Sequence, residues 1–508
     1  MATLAEKLAD SLAELYILQK EGQIAIRSSQ LSRTHRERLC DAGYLTEVLR
    51  GWYIPTRPDQ PAGESTPWYA SFWAFCSKYL DQRFGQDWCL SPEQSILIHT
   101  GNSNVPKQLL IRAPKGSNNK TDFPHGTSLF DLKLKVPEKN QTTIVEGLRL
   151  FSLPFALINC GEAFFTQYPT EARVALALFR SASDILSPLL QGGHSVIAGR
   201  IAGGFRNIGN DKFADEILHT MDAAKYIVKE VDPFEEKIPM IISSRERSPY
   251  VNRIKLMWHT MREKIIPLFP ATLGLPQDID AYMKNVSEAY KQDAYNSLSI
   301  EGYRVSEALI ERVRSGHWAP DQYAGDKQLR DAMAARGYWL AYQQVQKALH
   351  RILQGENAGE VLNHIHGTWY SQMFEPSVTS GIIAVADLAG YRTIPIYIRH
   401  SIHVPPSVDA VRDLMPAFFE LLAEEKEPSV RVVLGHFIFV FIHPYVDGNG
   451  RIGRFIMNAM MASGGYPWTI VPFERRDEYM NVLEQASAGL DIVPFAMFIA
   501  SLMKNKKE

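Results

Sequence analysis

The residues best suited to chemistry lie between 436 and 465, in the run HFIFVFIHPYVDGNGRIGRFIMNAMMASGG. An apolar stretch ends at a His-Pro pair, and a glycine-containing turn follows. A helix is then predicted to begin with two arginines near its first turn. Such a turn can direct several backbone N–H groups into one concave surface, and the helix N-terminus adds partial positive charge. The pattern therefore predicts an anion-binding site.

The side chains around this turn suit a polyphosphate ligand and a proton transfer. Arg451 and Arg454 lie on one side of the predicted helix, so both can reach oxygens of the same ligand. Asp447 can hold Mg²⁺ against phosphate oxygens, because hard cations prefer oxygen ligands. His443 precedes Asp447 by one short turn, and an imidazole with an ordinary pKa of ~6.5 can take a proton from an incoming hydroxyl. A base, a metal ligand, an anion hole and a charge clamp are thus predicted within one short segment.

The same run allows two other interpretations. Gly448, Gly450 and Gly453 form a G-x-G-x-x-G pattern between a β-like run (437–442) and a strand candidate (468–473), as in dinucleotide-binding folds. Against this, titratable residues interrupt the turn, and few residues remain for the further βα units of such a fold. A merely polar turn between two helices does not account for His, Asp, Asn and two Arg converging on it. We therefore favour the phosphate site.

The segment HPYVDGNGRIGR, from His443 to Arg454, resembles the Fic-family signature H-x-F-x-[DE]-G-N-G-R-x-x-R, with Tyr445 where Phe is usual. The resemblance covers roughly residues 250 to 505 and implies a mostly helical fold with a β-hairpin flap. Fic proteins of this motif type transfer AMP from ATP to a Ser, Thr or Tyr hydroxyl of a protein and release pyrophosphate. The resemblance thus implies a protein adenylyltransferase, a nucleotidyltransferase that uses ATP as co-substrate and Mg²⁺ as cofactor.

The resemblance also implies a role for each position of the motif. It makes His443 the general base toward the target hydroxyl and Asp447 the Mg²⁺ ligand. Arg451 would contact the β-phosphate and Arg454 the γ-phosphate. Gly450 stands where phosphotransferring Doc-type relatives carry Lys, which favours nucleotidyl transfer over kinase-like chemistry. The residues implied to hold the α- and β-phosphates are Gly448, Asn449 and Gly450.

A second motif, SLSIEG from Ser297 to Gly302, closes a helix predicted to begin near Tyr282. It resembles the [ST]-x-x-x-E-[GN] inhibitory motif that precedes the core in one Fic class. The Glu301 carboxylate beside Arg454 would take the place of the γ-phosphate and leave ATP misaligned for in-line attack. Taken alone, the segment is also consistent with an ordinary helix end capped by glycine. Together with the signature, it predicts an autoinhibited ground state in which Ser297 and Glu301 are inhibitory residues.

The segment from Thr393 to Val404 alternates apolar and polar residues and is followed by two prolines. It resembles the flap hairpin of the family, whose edge can pair with an extended segment of a target protein. Nearby histidines have H-x-H and H-x-x-H spacings, but no carboxylate or cysteine accompanies them at ligand spacing. We therefore expect these histidines to be solvated or hydrogen-bonded rather than metal ligands; they are His364, His366, His400 and His403.

Residues 24–55 predict a helix, a tight turn, a second helix and a short hairpin, which is the pattern of a winged helix-turn-helix. The stretch LCDAGYLTEVLRGWYIP resembles the N-terminal winged helix of AbiEi-type antitoxins and related bacterial regulators. A small helical protein-interaction module with a solvated basic face is the alternative. The candidate DNA contacts are Arg33, Arg36, Arg38 and Arg50.

Length and composition predict several domains of ordinary globular type. The chain has 508 residues, with 45% hydrophobic and 22% charged residues, which excludes a disordered or fibrous chain. A formal net charge of -2 argues against a whole-chain electrostatic grip on nucleic acid. We expect a mainly α fold with an α+β N-terminal half. The predicted domains are a winged helix (1–60), a regulator-like α+β domain (61–235), a helical segment with the inhibitory helix (240–330) and the Fic core (331–508).

Cysteine usage and the termini predict an intracellular protein. All four cysteines lie in the first third without Cys-x-x-Cys spacing, so we expect reduced core residues. The N-terminus predicts an amphipathic helix rather than a signal peptide, and no apolar stretch approaches the ~20 residues that span a bilayer. We expect a cytoplasmic homo-oligomer that does not associate with membranes.

The predicted partners are a target protein, or the chain itself, and DNA at the N-terminal module. An alternative function is a DNA-binding transcriptional regulator or antitoxin whose Fic half senses nucleotide or removes AMP from a modified protein.

Overall fold

A computed structural model of the chain describes residues 3–20, 23–58, 65–235, 248–272, 274–317 and 329–504. The protein is mainly helical, and the strands that these residues form all lie in the N-terminal half, which confirms the predicted fold class at this level. The chain divides into two compact units. The first is Met1–Pro249 with Ile396–Val404, and the second is Tyr250–Pro395 with Pro405–Glu508. The finer division into four domains stays a prediction.

The N-terminal module of the first unit packs two helices on a small sheet. The helices are Leu4–Lys20 and Arg33–Asp41, and the Ser32 hydroxyl caps the second by accepting a hydrogen bond from a backbone N–H of its first turn. The predicted hairpin is present, and Gly51 at its turn has a φ of 78°, which favours glycine. The first helix predicted within residues 24–55 is wrong, because Ile26–Arg27 pairs with the hairpin as a strand and the first helix of the module, Leu4–Lys20, precedes this range. The strands of the antiparallel sheet, in spatial order, are Ile26–Arg27, Trp52–Pro55 and Leu45–Leu49.

The described residues in the rest of the first unit form a four-stranded sheet, a two-stranded hairpin and eight α-helices. The sheet has the order Cys89–Leu90, Gln108–Ala113, Ser128–Lys133, Lys120–Asp122, and its central pair is parallel. The hairpin is Thr142–Val145 with Leu148–Phe151. All four cysteines are free. Three are buried, as expected of core residues, whereas Cys40 is only partly buried. The helices are Thr66–Phe84, Pro92–His99, Leu153–Asn159, Phe164–Gln167, Pro169–Ala177, Ser183–Gly192, Ser195–Asn207 and Asp211–Ala223.

The second unit is helical and is built around one hydrophobic core. Its central helix, Pro428–Ile442, is buried along nearly its whole length, so its sequence is apolar on every face. Among the described residues, no helix combines the length and the apolarity needed to cross a membrane. The other helices are Pro249–Ile265, Ile279–Ile300, Glu307–Arg314, Leu329–Leu353, Ala358–Thr379, Val408–Glu424, Asn449–Ser463, Arg476–Gly489 and Val493–Lys504.

The dinucleotide-binding interpretation of the glycine turn is wrong. The β-like run 437–442 is the end of helix Pro428–Ile442, and residues 468–473 form no strand. A continuous apolar run of β-branched and aromatic residues fits a buried strand and a buried helix equally well, and here burial on all sides produces it. Since no strand precedes the turn, the βα unit that such a fold requires is missing.

The expected β-hairpin flap is also not formed. Residues 393–404 contain no paired strands, and the segment Ile396–Val404 belongs to the first unit. There the Val105 N–H donates to the Ile402 carbonyl at 3.1 Å, and His403 Nδ1 lies 3.1 Å from Asn104 Oδ1. Alternating polarity therefore reflects contacts with other segments of that unit. The prolines on both sides of the segment lack the N–H groups that a strand ladder needs.

Candidate active site

His443 lies directly after the central helix, in a left-handed backbone conformation with a φ of 53°. Its N–H donates to Phe439 O at 3.0 Å, which ends the helix. The left-handed region is unfavourable for residues other than glycine, and such conformations persist where the surroundings enforce them, often at functional sites. Contacts with other residues must therefore keep His443 in this unfavourable backbone conformation.

The environment of the His443 imidazole suits a general base. Its Nδ1 lies 3.0 Å from the Val440 carbonyl. Because a carbonyl only accepts hydrogen bonds, Nδ1 carries the proton and Nε2 remains an acceptor. Burial lowers the pKa of His443, and the positive charge of Arg392 lowers it further, against the opposing effects of the Val440 carbonyl, Glu301 and Asp447. The ring is therefore neutral around pH 7.

The turn after His443 is closed by the side chain of Asn449. Its Oδ1 accepts from the Tyr445 N–H at 2.9 Å, and its Nδ2 donates to the Tyr445 carbonyl at 2.8 Å. The Tyr445 ring is buried and stacks on Tyr370, with centroids 4.0 Å apart, so it anchors the loop in the core. The amide predicted to hold phosphates thus shapes the loop, and the backbone N–H is what Asn449 offers to a ligand.

Arg451 and Arg454 project from the first turns of helix Asn449–Ser463 and are 1% and 4% exposed. Within the described part of the chain, Arg451 Nε and Arg454 Nη1 have no hydrogen-bond partner. The Arg451 guanidinium lies between the rings of Tyr303 and Phe374, each 5.1 Å from its central carbon. Buried guanidinium donors without partners are costly, and an anionic ligand would satisfy them. The site is therefore built to receive an anion.

Ser297 and Glu301, at the end of helix Ile279–Ile300, contact Arg454. Glu301 caps helix Ile279–Ile300, and its Oε1 accepts from Arg454 Nη2 at 2.8 Å. Ser297 holds the same guanidinium, because its hydroxyl accepts from Nε at 2.9 Å and its carbonyl from Nη2 at 3.1 Å. A Cβ added at Gly450 would clash with Glu301 Oε1, so the carboxylate lies against the start of the helix. Its position coincides with the predicted anion hole.

Asp447 lies at the mouth of the site, with a side chain that is 58% exposed. Desolvation by the surrounding protein would raise the pKa of this carboxyl. The charge of Arg451, 3.3 Å away, and the Gly448 N–H, 2.6 Å from Oδ1, outweigh desolvation and hold the pKa below its ordinary value. Gly448 has a φ of 82°, which explains a glycine at this turn.

The residues at the site fit the expected Mg²⁺. An ionised, accessible carboxylate is what the protein would contribute to an Mg²⁺ bound largely through ligand phosphates, and the unpartnered arginine donors nearby can hold such phosphates. Groups of three potential His, Cys, Asp or Glu ligands do not occur among the described residues. Asp447 would therefore hold the ion together with phosphate oxygens.

Other predicted residues lie outside this site. His366 is buried and bonds to the Leu362 carbonyl and the Tyr391 hydroxyl, which agrees with the expectation of hydrogen-bonded histidines. His364 lies 2.7 Å from a backbone carbonyl of its own helix.

The arginines proposed to contact DNA are mostly engaged within their own module. Arg36 and Arg38 donate to backbone carbonyls at 2.8 and 2.6 Å. Arg33 forms an exposed ion pair with Glu37, and Arg50 is exposed at the hairpin turn. DNA binding stays a prediction, and Arg33 and Arg50 are its remaining exposed candidates.

Two rings at the site escaped the sequence reasoning. Tyr303 and Phe374 enclose the Arg451 guanidinium, although nothing in their spacing relates them to the motif. Tyr303 follows Glu301 by two residues, so this segment brings a carboxylate to Arg454 and a ring to Arg451. An aromatic residue just beyond the motif was the available signal.

Comparison with known proteins identifies relatives of the second half of the chain. Residues 357–461 match the model of the Fic/DOC family. A protein adenylyltransferase Fic of Nematostella vectensis is 27% identical over 273 residues, which make up 51% of this chain and 57% of the relative. Its counterpart in Drosophila grimshawi is 30% identical over 217 residues, 42% of this chain and 41% of the relative. The chain thus spans about half the length of the curated relatives it matches.

Among solved structures, Fic-1 from C. elegans is similar, with a TM-score of 0.37 and 17% sequence identity. That similarity covers 66% of this chain and 86% of the solved chain.

Proposed function

We propose that this protein is a protein adenylyltransferase that transfers AMP from ATP to a Ser, Thr or Tyr hydroxyl and is held inactive by Glu301. The observation that carries the proposal is the pair of buried arginines, Arg451 and Arg454, that have unpartnered donors at the start of the helix following the His443 turn. The match of residues 357–461 to the Fic/DOC family and the relatives named protein adenylyltransferase Fic support it.

In the proposed reaction, each side chain acts on a stated atom. His443 Nε2 accepts the proton of the target hydroxyl as its oxygen attacks the α-phosphorus, and pyrophosphate leaves. Arg451 and Arg454 bind the β- and γ-phosphates and set the ATP chain in line for this attack. Asp447 would hold Mg²⁺, which neutralises phosphate charge when bound. The proton stays on an imidazole whose Nδ1 is already fixed by the Val440 carbonyl.

Glu301 is proposed to block the reaction by competing with ATP for Arg454. Its carboxylate bonds to the guanidinium at 2.8 Å and lies against the start of helix Asn449–Ser463. A γ-phosphate cannot occupy the same place, since both are anions that need the same donors. Activation therefore requires the Glu301 carboxylate to move away from Arg454.

Transfer of label from α-labelled ATP in the presence of Mg²⁺ tests the proposal. The Glu301→Gly protein should label itself or proteins of a cell lysate more than the unchanged chain does. Adding His443→Ala should abolish that labelling. Glu356→Gly is a matched control, because Glu356 also follows a helix end and pairs with an arginine, at 2.6 Å, but on the surface. Equal labelling with and without His443 would reject this residue as the base.

A further inference from the structure

Arg392 holds the loop that carries His443 with both its backbone and its side chain. It is 3% exposed and lies 51 positions before His443. Its N–H donates to the Pro444 carbonyl at 2.8 Å, and its Nε donates to the His443 carbonyl at 2.9 Å. One residue thus fixes two successive carbonyls of this loop.

The remaining donors of the same guanidinium reach the chain on both sides of the segment 396–404. Arg392 Nη1 donates to the Ile394 carbonyl at 3.4 Å, and Nη2 donates to the Pro406 carbonyl. A planar guanidinium presents its donors in a fixed fork, so its bonds set the relative positions of the groups they join. A lysine has one freely rotating ammonium and cannot hold the same three carbonyls in one plane.

These bonds matter because of the backbone conformation of His443. With a φ of 53° and a ψ of 60°, the residue occupies a region that side-chain-bearing residues avoid. Its N–H is fixed by the helix end, whereas the direction of its carbonyl is fixed by Arg392. Without that bond the backbone would be free to rotate into a favoured region, and the imidazole would move with it.

The positive charge of Arg392, like its hydrogen bonds, favours a His443 that can act as a base. Five influences act on the pKa of the imidazole. Burial and Arg392 favour the neutral ring, whereas Glu301 and Asp447 favour the charged one. The Val440 carbonyl, which accepts from Nδ1, also favours protonation. Removing Arg392 therefore leaves the carboxylates less opposed, and the ring takes up a proton at a higher pH.

We propose that Arg392 is a positioning residue for His443, which it keeps in the left-handed conformation that directs Nε2 toward the target hydroxyl. The inference rests on the proposed function. Arg392 acts through the loop and does not touch the reacting atoms. Its loss should therefore impair the chemical step and leave ATP binding intact.

Kinetics in the Glu301→Gly background provide the first test. Arg392→Gln should lower kcat by about 10- to 100-fold while KM for ATP changes less than about 2-fold, as expected for a displaced base. In Arg392→Gln, the acidic limb of the plot of kcat against pH should move to higher pH. The kcat of Arg392→Lys should lie between that of the Glu301→Gly parent and that of Arg392→Gln, because lysine keeps the positive charge but lacks the planar set of guanidinium donors. An unchanged kcat, or a loss caused by KM alone, would overturn the inference.

Arg431→Gln is the matched control. Arg431 is a half-buried arginine that, like Arg392, donates to backbone carbonyls, here those of Glu425 and Lys426 at 2.7 and 3.1 Å. It lies near the opposite end of the helix that ends at Ile442, roughly 18 Å from His443 along the axis. This variant should keep kcat within about 2-fold, which separates loss of positioning from loss of a buried arginine.

Nuclear magnetic resonance distinguishes failure of the inference from failure of the proposed function. Proteins labelled at the histidine Cε1 position give a His443 signal that is assigned by its loss in His443→Asn. Arg392→Lys and Arg392→Gln should shift this signal, and Arg392→Gln should raise its titration midpoint. Arg431→Gln should do neither. If Glu301→Gly transfers no AMP, the proposed function fails, whereas a His443 signal unchanged in both Arg392 variants overturns the positioning role. If Arg392→Gln does not fold, Arg392→Lys decides.

Discussion

Removing the Glu301 carboxylate is expected to strengthen ATP binding by a factor that the structure allows us to estimate. Its bond to Arg454 is 2.8 Å long, and the two side chains are 26% and 5% exposed. A hydrogen bond to a charged group contributes about 1.5–3 kcal/mol, so we take about 2 kcal/mol for this largely buried pair. Because the pair must separate before a γ-phosphate reaches Arg454, Glu301→Gly should tighten ATP binding about 30-fold.

A graded series sharpens this estimate. Charge-assisted hydrogen bonds are roughly twice as strong as neutral ones, so Glu301→Gln should keep about half of the inhibitory free energy. The expected gain in ATP affinity is then about 5-fold. Calorimetric titration with ATP and Mg²⁺, in proteins that also carry His443→Ala to prevent turnover, measures both gains. ADP is the control ligand, since it lacks the phosphate that competes with Glu301. An equal gain for ADP and ATP would refute the competition for Arg454.

Three further predictions concern the base, the metal and the core. In the Glu301→Gly variant, kcat should be constant at neutral pH and fall as acid protonates His443. The midpoint should lie below pH 6.5, because burial lowers the pKa of His443. A midpoint above pH 6.5 would contradict the assignment of His443 as the base. Asp447→Asn should raise the Mg²⁺ concentration needed for half-maximal transfer at least about tenfold, and chelation should abolish transfer in both proteins; an unchanged requirement argues against the ligand role. Tyr479→Phe should destabilise the fold by about 1–3 kcal/mol, seen as a lower Tm. The reason is that the buried His436 Nε2, which lies 2.6 Å from the Tyr479 hydroxyl, loses its hydrogen-bond partner. Tyr16→Phe, at an exposed tyrosine, should leave Tm unchanged.

The local part of the site could be predicted from the sequence because spacing alone fixes it. A helix end, a turn with a left-handed glycine and a second helix bring His443, Asp447 and the two arginines together whatever the rest of the fold. Glu301 is 153 positions from Arg454, and only the motif around Ser297 connected them. The side chain of Asn449 could not be assigned in this way. An amide serves a ligand or a neighbouring peptide equally well, and the structure shows it bonded to Tyr445.

The flap prediction failed for a reason that applies to many irregular segments. Alternating polarity reports that one face of an extended chain is covered, but not by what. Between Thr393 and Val404 the covering groups belong to residues far away in the chain, such as Val105 and Asn104. A local pattern carries no information about such partners. A paired hairpin and an unpaired segment with distant partners therefore show the same alternation of apolar and polar residues.

The role proposed for Arg392 could not be predicted from the sequence. Its acceptors are backbone carbonyls, which every residue has, so nothing in the sequence at 443, 444 or 406 indicates that an arginine is needed. The requirement arises from the conformation of His443, since a left-handed residue with a side chain needs outside contacts to keep its carbonyl in place. A glycine at this position would not need them, but it would not be a base. In the proposed mechanism the base is a histidine, so the strain remains, and Arg392, which holds this conformation in place, contributes to catalysis without touching the substrate.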